Sequence, residues 1–178
     1  PLYILGLLLR FGPQHGYQLK KMIEEQLSDF TQIKLPTIYY HLEKLEASSF
    51  VTAKADQEGL RPEKMVYQIS EDGIARFKEL LRGELDMNYR PVFNADAVFY
   101  FSDSLTGEEL EEGLKRHVEH LNLSLERLEK HRAEARVYLP ESMMPYADII
   151  FEHHAAHYRA EITWAEQTAQ TLKGGQNQ

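Results

Sequence analysis

A mainly α-helical chain with one small β-hairpin, built in two parts, is the fold class the sequence predicts. Three observations predict it. Apolar residues recur at spacings of three and four over most of the 178 residues. The period shortens to two only between residues 50 and 69. Charge is also split along the chain. Residues 1–82 hold 11 Lys/Arg and 11 Asp/Glu, residues 83–178 hold 9 and 17, and the whole net charge of -8 therefore falls in the second part. The predicted domains are 1–82 and 83–178.

The elements follow in order. Leu2 to Phe11 is an apolar run closed by Gly12-Pro13, a stop signal. Gly16 to Leu27 reads as a second helix, with Leu19, Met22, Ile23 and Leu27 on one face. A third helix starts near Pro36, where a missing N–H breaks no bond, and ends at Ser48-Ser49. Its Ile38, Leu42 and Leu45 share one side. Phe50 to Ala53 and Met65 to Ile69 are strand candidates, joined by a polar loop over Asp56–Lys64. Ser70 then caps a fourth helix, whose Ile74, Phe77, Leu80 and Leu81 form an apolar face. Three helices followed by a two-stranded wing make a winged helix-turn-helix, which lays its third helix in a major groove.

The second part is predicted all-helical. Tyr89-Arg90-Pro91 is a break, and Val92 to Phe101 a short aromatic helix. Thr106 and Glu109 make a capping box for a long helix to about Val137. Its Leu110, Leu114, Val118, Leu121, Leu125 and Leu128 repeat in steps of three and four. Pro140 and Pro145 bracket a loop, the last helix runs to about Lys173, and Gly174 to Gln178 reads as a disordered tail. On that helix Phe151, Ala155, Tyr158, Ile162, Ala165, Ala169 and Leu172 form an unbroken seam. Packing within the chain would use such seams. A two- or three-helix appendage has too little interior for both, so at least one is expected at a dimer interface. The candidate residues are Leu114, Leu121, Leu125, Phe151, Ala155, Tyr158, Ile162, Ala165 and Ala169.

Composition narrows the function classes. There is no cysteine, which excludes disulfides and thiolate zinc sites. The apolar opening lacks the flanks of a signal peptide and is too short to span a bilayer, so a cytoplasmic chain is expected. There is no Gly-rich phosphate loop, no Gly-x-Ser-x-Gly elbow and no His-Glu-x-x-His helix, so neither an enzyme nor a cofactor is expected.

Thr37, Tyr40, His41 and Lys44 point away from the buried side of the third helix. Hydroxyls and backbone N–H groups at its start suit phosphate or base edges. Lys34 and Lys44 are candidate phosphate clamps, and Arg61 and Lys64 stand in the wing, where an arginine reads minor-groove width and potential. Tyr39, taken by itself, reads as a core tyrosine. A winged helix used as a protein-binding adaptor would keep the same fold, and Glu43 and Glu63 keep that alternative open.

Four segments resemble the PadR family of repressors. Thr37-Ile38-Tyr39-Tyr40-His41-Leu42-Glu43-Lys44-Leu45-Glu46 is similar to the family's recognition helix. Tyr3-Ile4-Leu5-Gly6-Leu7-Leu8 and His15-Gly16-Tyr17-Gln18-Leu19 resemble its first helix and the opening of its second. Arg61 to Gly73 resembles its wing. Pro36 and Tyr40 depart from the family's usual residues. The resemblance implies a homodimeric repressor on a palindromic operator in double-stranded DNA, with Tyr39 on a phosphate and a small aromatic molecule as effector. Tyr89, Phe93, Tyr100 and Trp164 could line its pocket, though aromatics at helical spacing also build plain cores. The pairs His117/His120 and His153/His157 have helical spacing for a metal but fall in no known ligand motif, and no metal is expected.

Overall fold

The computed structural model describes residues 1–29, 31–56, 64–86 and 90–175. Contacts divide the chain into two compact units, Pro1–Arg90 and Pro91–Gln178. Of the predicted site residues, Arg61 and Tyr89 lie outside the described residues.

The first unit contains helices α1 (Leu2–Phe11), α2 (Gly16–Gln26), α3 (Leu35–Ala47) and α4 (Glu71–Gly83). Its strands are β1 (Gln14–His15), β2 (Val51–Asp56) and β3 (Lys64–Ile69). Gly12 ends α1 with a φ of 74°, which only glycine adopts freely, and Pro13 cannot continue a helix. The sheet is antiparallel in the order β1-β3-β2. β2 and β3 pair from Val51↔Ile69 to Asp56↔Lys64. The expected wing is thus lengthened into the predicted loop, with Lys64 in β3 rather than in a turn. The third strand, β1, pairs Gln14 with Tyr67 and His15 with Val66. Two residues are too few to show an alternation, so no sequence pattern marks it.

The core of this unit is drawn from every long element. Ile4, Leu5, Leu7 and Leu8 of α1 meet Leu19 and Ile23 of α2, Ile38, Leu42 and Leu45 of α3, and Val51 and Tyr67 of the sheet. Each such aliphatic side chain stabilises the fold by about 1.5–3 kcal/mol relative to exposure. The apolar face of α4 is narrower than its sequence suggests. Phe77 and Leu80 pack against the core, while Leu81 is 44% exposed.

Tight contacts join α3, β2 and α4. Ser49 ends α3 at φ 61°, and the Phe50 N–H donates back to the Leu45 carbonyl at 2.9 Å. The Ser70 hydroxyl donates to the Ser49 carbonyl at 2.7 Å and accepts from the Gly73 N–H at 3.0 Å, capping α4 against that turn.

The second unit contains α5 (Ala95–Tyr100), α6 (Gly107–Tyr138) and α7 (Met144–Gly175). α5 is shorter than predicted, with Val92 87% exposed before it. The Thr106/Glu109 capping box opens α6 as expected, with both reciprocal bonds formed at 3.2 and 2.8 Å. Pro140 precedes a short 3-10 turn, and Pro145 lies in the first turn of α7 rather than in a loop. α7 also runs through Gly174 and Gly175, which the sequence places in a tail.

The apolar seams of α6 and α7 close on each other within the chain. Leu128 and Ala135 pack with Phe151 and Ala155, and Leu125 and Tyr158 pack beside them. Leu114 and Ala165 are buried as well. Two ion pairs and a hydrogen bond fix the antiparallel register: Arg132 to Asp148 at 2.8 Å, Arg159 to Glu129 at 3.5 Å, and His117 with Glu161 at 3.2 Å. Among the described residues no helix is long and apolar enough to cross a membrane.

A Cβ at Gly73 would strike the Phe50 carbonyl oxygen and lie 2.8 Å from Ile69 Cγ1. Helix propensity alone would make Gly73→Ala favourable by roughly 1 kcal/mol. The collision with fixed backbone decides the sign the other way, so a net loss of about 1–3 kcal/mol is expected in urea unfolding.

Candidate nucleic-acid interface

The face of α3 is set by its buried side. Ile38 and Leu42 are fully covered and Leu45 nearly so. At 3.6 residues per turn this leaves Thr37, Tyr40 and Lys44 on the opposite side. All three are exposed, as is Lys34 at the helix N-cap, and His41 is half-buried at the edge. No side chain caps the helix, but Pro36 has no N–H and the Thr37 and Ile38 N–H groups donate to the Lys34 carbonyl at 2.9 and 3.1 Å, so the expected row of open N–H groups at the start of α3 is not present.

Three of these residues interact directly. The Lys44 ammonium sits 4.8 Å from the centre of the Tyr40 ring. Tyr40 and His41 meet edge to face at 5.4 Å. Burial, helped by the Lys44 ammonium, pushes the His41 imidazole below its ordinary range and favours its neutral form. The positive charge on this side of α3 is therefore carried by lysine.

Tyr39 is a half-core, half-surface residue. A Cβ at Gly16 would lie only 2.6 Å from its ring, so the ring lies on the glycine at the start of α2. The side chain is nevertheless 40% exposed. Both sequence readings of Tyr39 thus have a physical basis: the ring packs while part of the side chain stays open to solvent.

The acids of α3 fall elsewhere. Burial raises the Tyr67 phenol, and Glu46, Tyr39 and Glu43 push it the same way. Those three residues thus share the side of α3 toward β3. That side lies about a third of a turn from Thr37, Tyr40 and Lys44. Glu63 lies outside the described residues.

Lys64 is placed by the sheet rather than by a turn. It begins β3, and its charge lowers the His15 imidazole, an effect second to burial. His15 caps α2 by accepting from the Gln18 N–H through Nδ1 at 3.2 Å. Lys64 is therefore near the opening of α2. Tyr17, in the first turn of α2, is 60% exposed. No sequence criterion selected it as a contact residue, although an aromatic beside the Gly16 that seats Tyr39 was a usable signal.

Of the candidate effector residues that are described, Phe93, Tyr100 and Trp164 do not form one enclosed group. Phe93 and Tyr100 are 47% and 81% exposed, and Tyr100 meets its neighbour Phe101 edge to face at 4.8 Å. Trp164 instead meets Phe99 edge to face at 5.7 Å. The histidine pairs also separate. His117 bonds Glu161, while His153 and His157 face each other on α7. Among the described residues no three His, Cys, Asp or Glu side chains gather as a metal site. Arg159 is held by Glu152 at 2.8 Å and Glu129 at 3.5 Å.

Comparison with known proteins places this geometry. Residues 4–79 match the model of the Transcriptional regulator PadR-like family. The Negative transcriptional regulator PadR of Bacillus subtilis is 36% identical over 70 residues, 39% of this chain and 38% of that protein. The chain thus aligns with about two-fifths of that curated relative's length. The fold extends further. The Bacillus subtilis PadR structure in complex with operator DNA superposes with a TM-score of 0.76 at 21% identity, covering 96% of this chain and 97% of that one. The same protein in complex with p-coumaric acid gives 0.70 at 20% identity, covering 97% of each. The Vibrio cholerae virulence activator AphA gives 0.72 at 17% identity, covering 98% and 99%.

Proposed function

We propose that this chain, a member of the PadR-like family of transcriptional regulators, represses transcription in the cytoplasm by binding a palindromic operator as a homodimer, and that a small aromatic acid releases it. Residues 1–82 would read double-stranded DNA, and residues 83–178 would dimerise the chain and sense the effector.

One observation carries the DNA reading. The side of α3 holding Thr37, Tyr40 and Lys44 is exposed while its other side is locked in the core. Two lysines there suit phosphate contact, and the hydroxyls suit base edges. Lys64, Tyr39 and, from sequence, Arg61 extend the set. Repression and release draw on one relative, the Bacillus subtilis PadR, which is named a negative regulator and is described with p-coumaric acid.

The protein-adaptor reading draws on Glu43 and Glu63, and salt dependence separates the two readings. Lys44→Ala or Arg61→Ala should each weaken operator binding by ~1 kcal/mol, roughly fivefold, and reduce the salt slope by about 1. Fluorescence anisotropy on DNA fragments selected from a random pool reads both. Binding that ignores salt and both substitutions removes this face from the DNA reading.

Two half-sites need two copies of α3. Because Leu114, Phe151, Ala155 and Ala165 are buried within one chain, the contact falls to other faces of the second unit. Ile149 (67% exposed) and Ile150 lie one turn past Tyr146, all open to solvent at the start of α7. Partly exposed Leu121, Ile162 and Ala169 are the seam positions still available to it. Ile149→Asp with Ile150→Asp should yield a monomer in sedimentation equilibrium and lower operator affinity. A double variant that stays dimeric rules this face out.

Trp164 is the sole tryptophan of the chain, so its emission reports the Phe99 contact. Titration with p-coumaric acid should quench that emission over the same concentrations that release DNA. Unchanged emission and unchanged DNA affinity would remove a phenolic acid as the effector.

A further inference from the structure

We propose that His153 and His157 form a two-imidazole site for a divalent transition metal on the outer side of α7. The proposal does not rest on the DNA reading. The two residues are one helical turn apart, and both are exposed. Their Nε2 atoms are 3.2 Å apart, with ring planes at 86°.

That separation is what a metal requires. Two nitrogens each about 2.0–2.1 Å from a tetrahedral ion stand roughly 3.3 Å apart. The separation is thus already that of a chelate, and a turn of the two rings about their side-chain bonds brings both lone pairs onto one ion. A hydrogen bond between them uses the same two atoms, so a proton and a metal compete for the pair. Both histidines are carried on one rigid helix, which lowers the ordering cost of bringing two ligands together.

Glu161, one turn beyond His157, bonds His117 on α6 at 3.2 Å. Among the described residues no third His, Cys, Asp or Glu completes the group. Water would fill the remaining positions. Neutral imidazole donors suit Zn²⁺, Ni²⁺ and Cu²⁺, with Cu²⁺ held most tightly, and suit Mg²⁺ and Ca²⁺ poorly.

Calorimetric titration of the full, untagged chain with ZnCl₂, NiCl₂ and CuCl₂ tests this. One equivalent per chain is expected, tightest for Cu²⁺, with no binding of MgCl₂. His153→Ala with His157→Ala should weaken it at least tenfold, whereas His120→Ala should leave it unchanged. Both sets alter exposed side chains, and circular dichroism checks that the helices persist. Absence of metal binding by the unaltered chain overturns the proposal, as does equal affinity in the 153/157 double variant.

Discussion

Ile38, Leu42 and Leu45 sink one side of α3 into the core of the first unit, and that burial determines what the helix presents outward. Rotating α3 by one residue would expose at least one of them and turn Lys44, or in the other sense Glu43 and Glu46, toward the core. The lost apolar burial alone is about 1.5–3 kcal/mol per side chain, and an unpaired buried charge adds several more. Against a whole-domain stability of roughly 5–15 kcal/mol, no such rotation is accessible. Thr37, Tyr40 and Lys44 are therefore presented by a rigid surface, and the contact of Lys44 with the Tyr40 ring restrains two of them further. A preorganised face of this kind loses little side-chain entropy on binding.

This part of the site was legible in the sequence because a three-four repeat and its complement are the same information. Once the buried residues of α3 are known, so are the outward ones. Contacts that depend on three-dimensional approach were less legible. The Tyr39 ring on Gly16 joins residues 23 positions apart, and only the structure shows that the missing Cβ makes room for it. β1 escaped for another reason: its two residues owe their conformation to β3, not to any pattern of their own. Lys64 was legible as a basic residue near the wing, but its strand placement comes from a register extending to Asp56.

The second unit shows where periodicity loses its power. A seam of apolar residues on α7 says that another helix packs there, but not whose helix. Ala155 and Ala165, fully buried, permit close approach by any partner, and here α6 of the same chain takes the place. The hairpin can do so because its turn is short and its register is matched by Arg132–Asp148 and Arg159–Glu129. The apolar surface left over, at Tyr146, Ile149 and Ile150, follows no unbroken seam. Burial, not spacing, picks it out.

Charge partition bears on how such a chain can meet DNA at all. A net charge of -8 describes a sum, whereas a phosphate backbone responds to the charges it approaches. In the second unit many acids are already matched. Glu129, Asp148 and Glu152 share Arg132 and Arg159, Glu111 meets Lys173, and Glu112 meets Arg116. A matched pair acts as a dipole, whose field falls faster with distance than that of a lone charge and is screened further by salt. On α3 the division is made around the helix instead. Glu43 and Glu46 face β3 and the Tyr67 phenol, while Lys44 stands clear of them. The local field at the exposed side of α3 is consequently set by its lysines, and an acidic whole is compatible with a face that attracts phosphate.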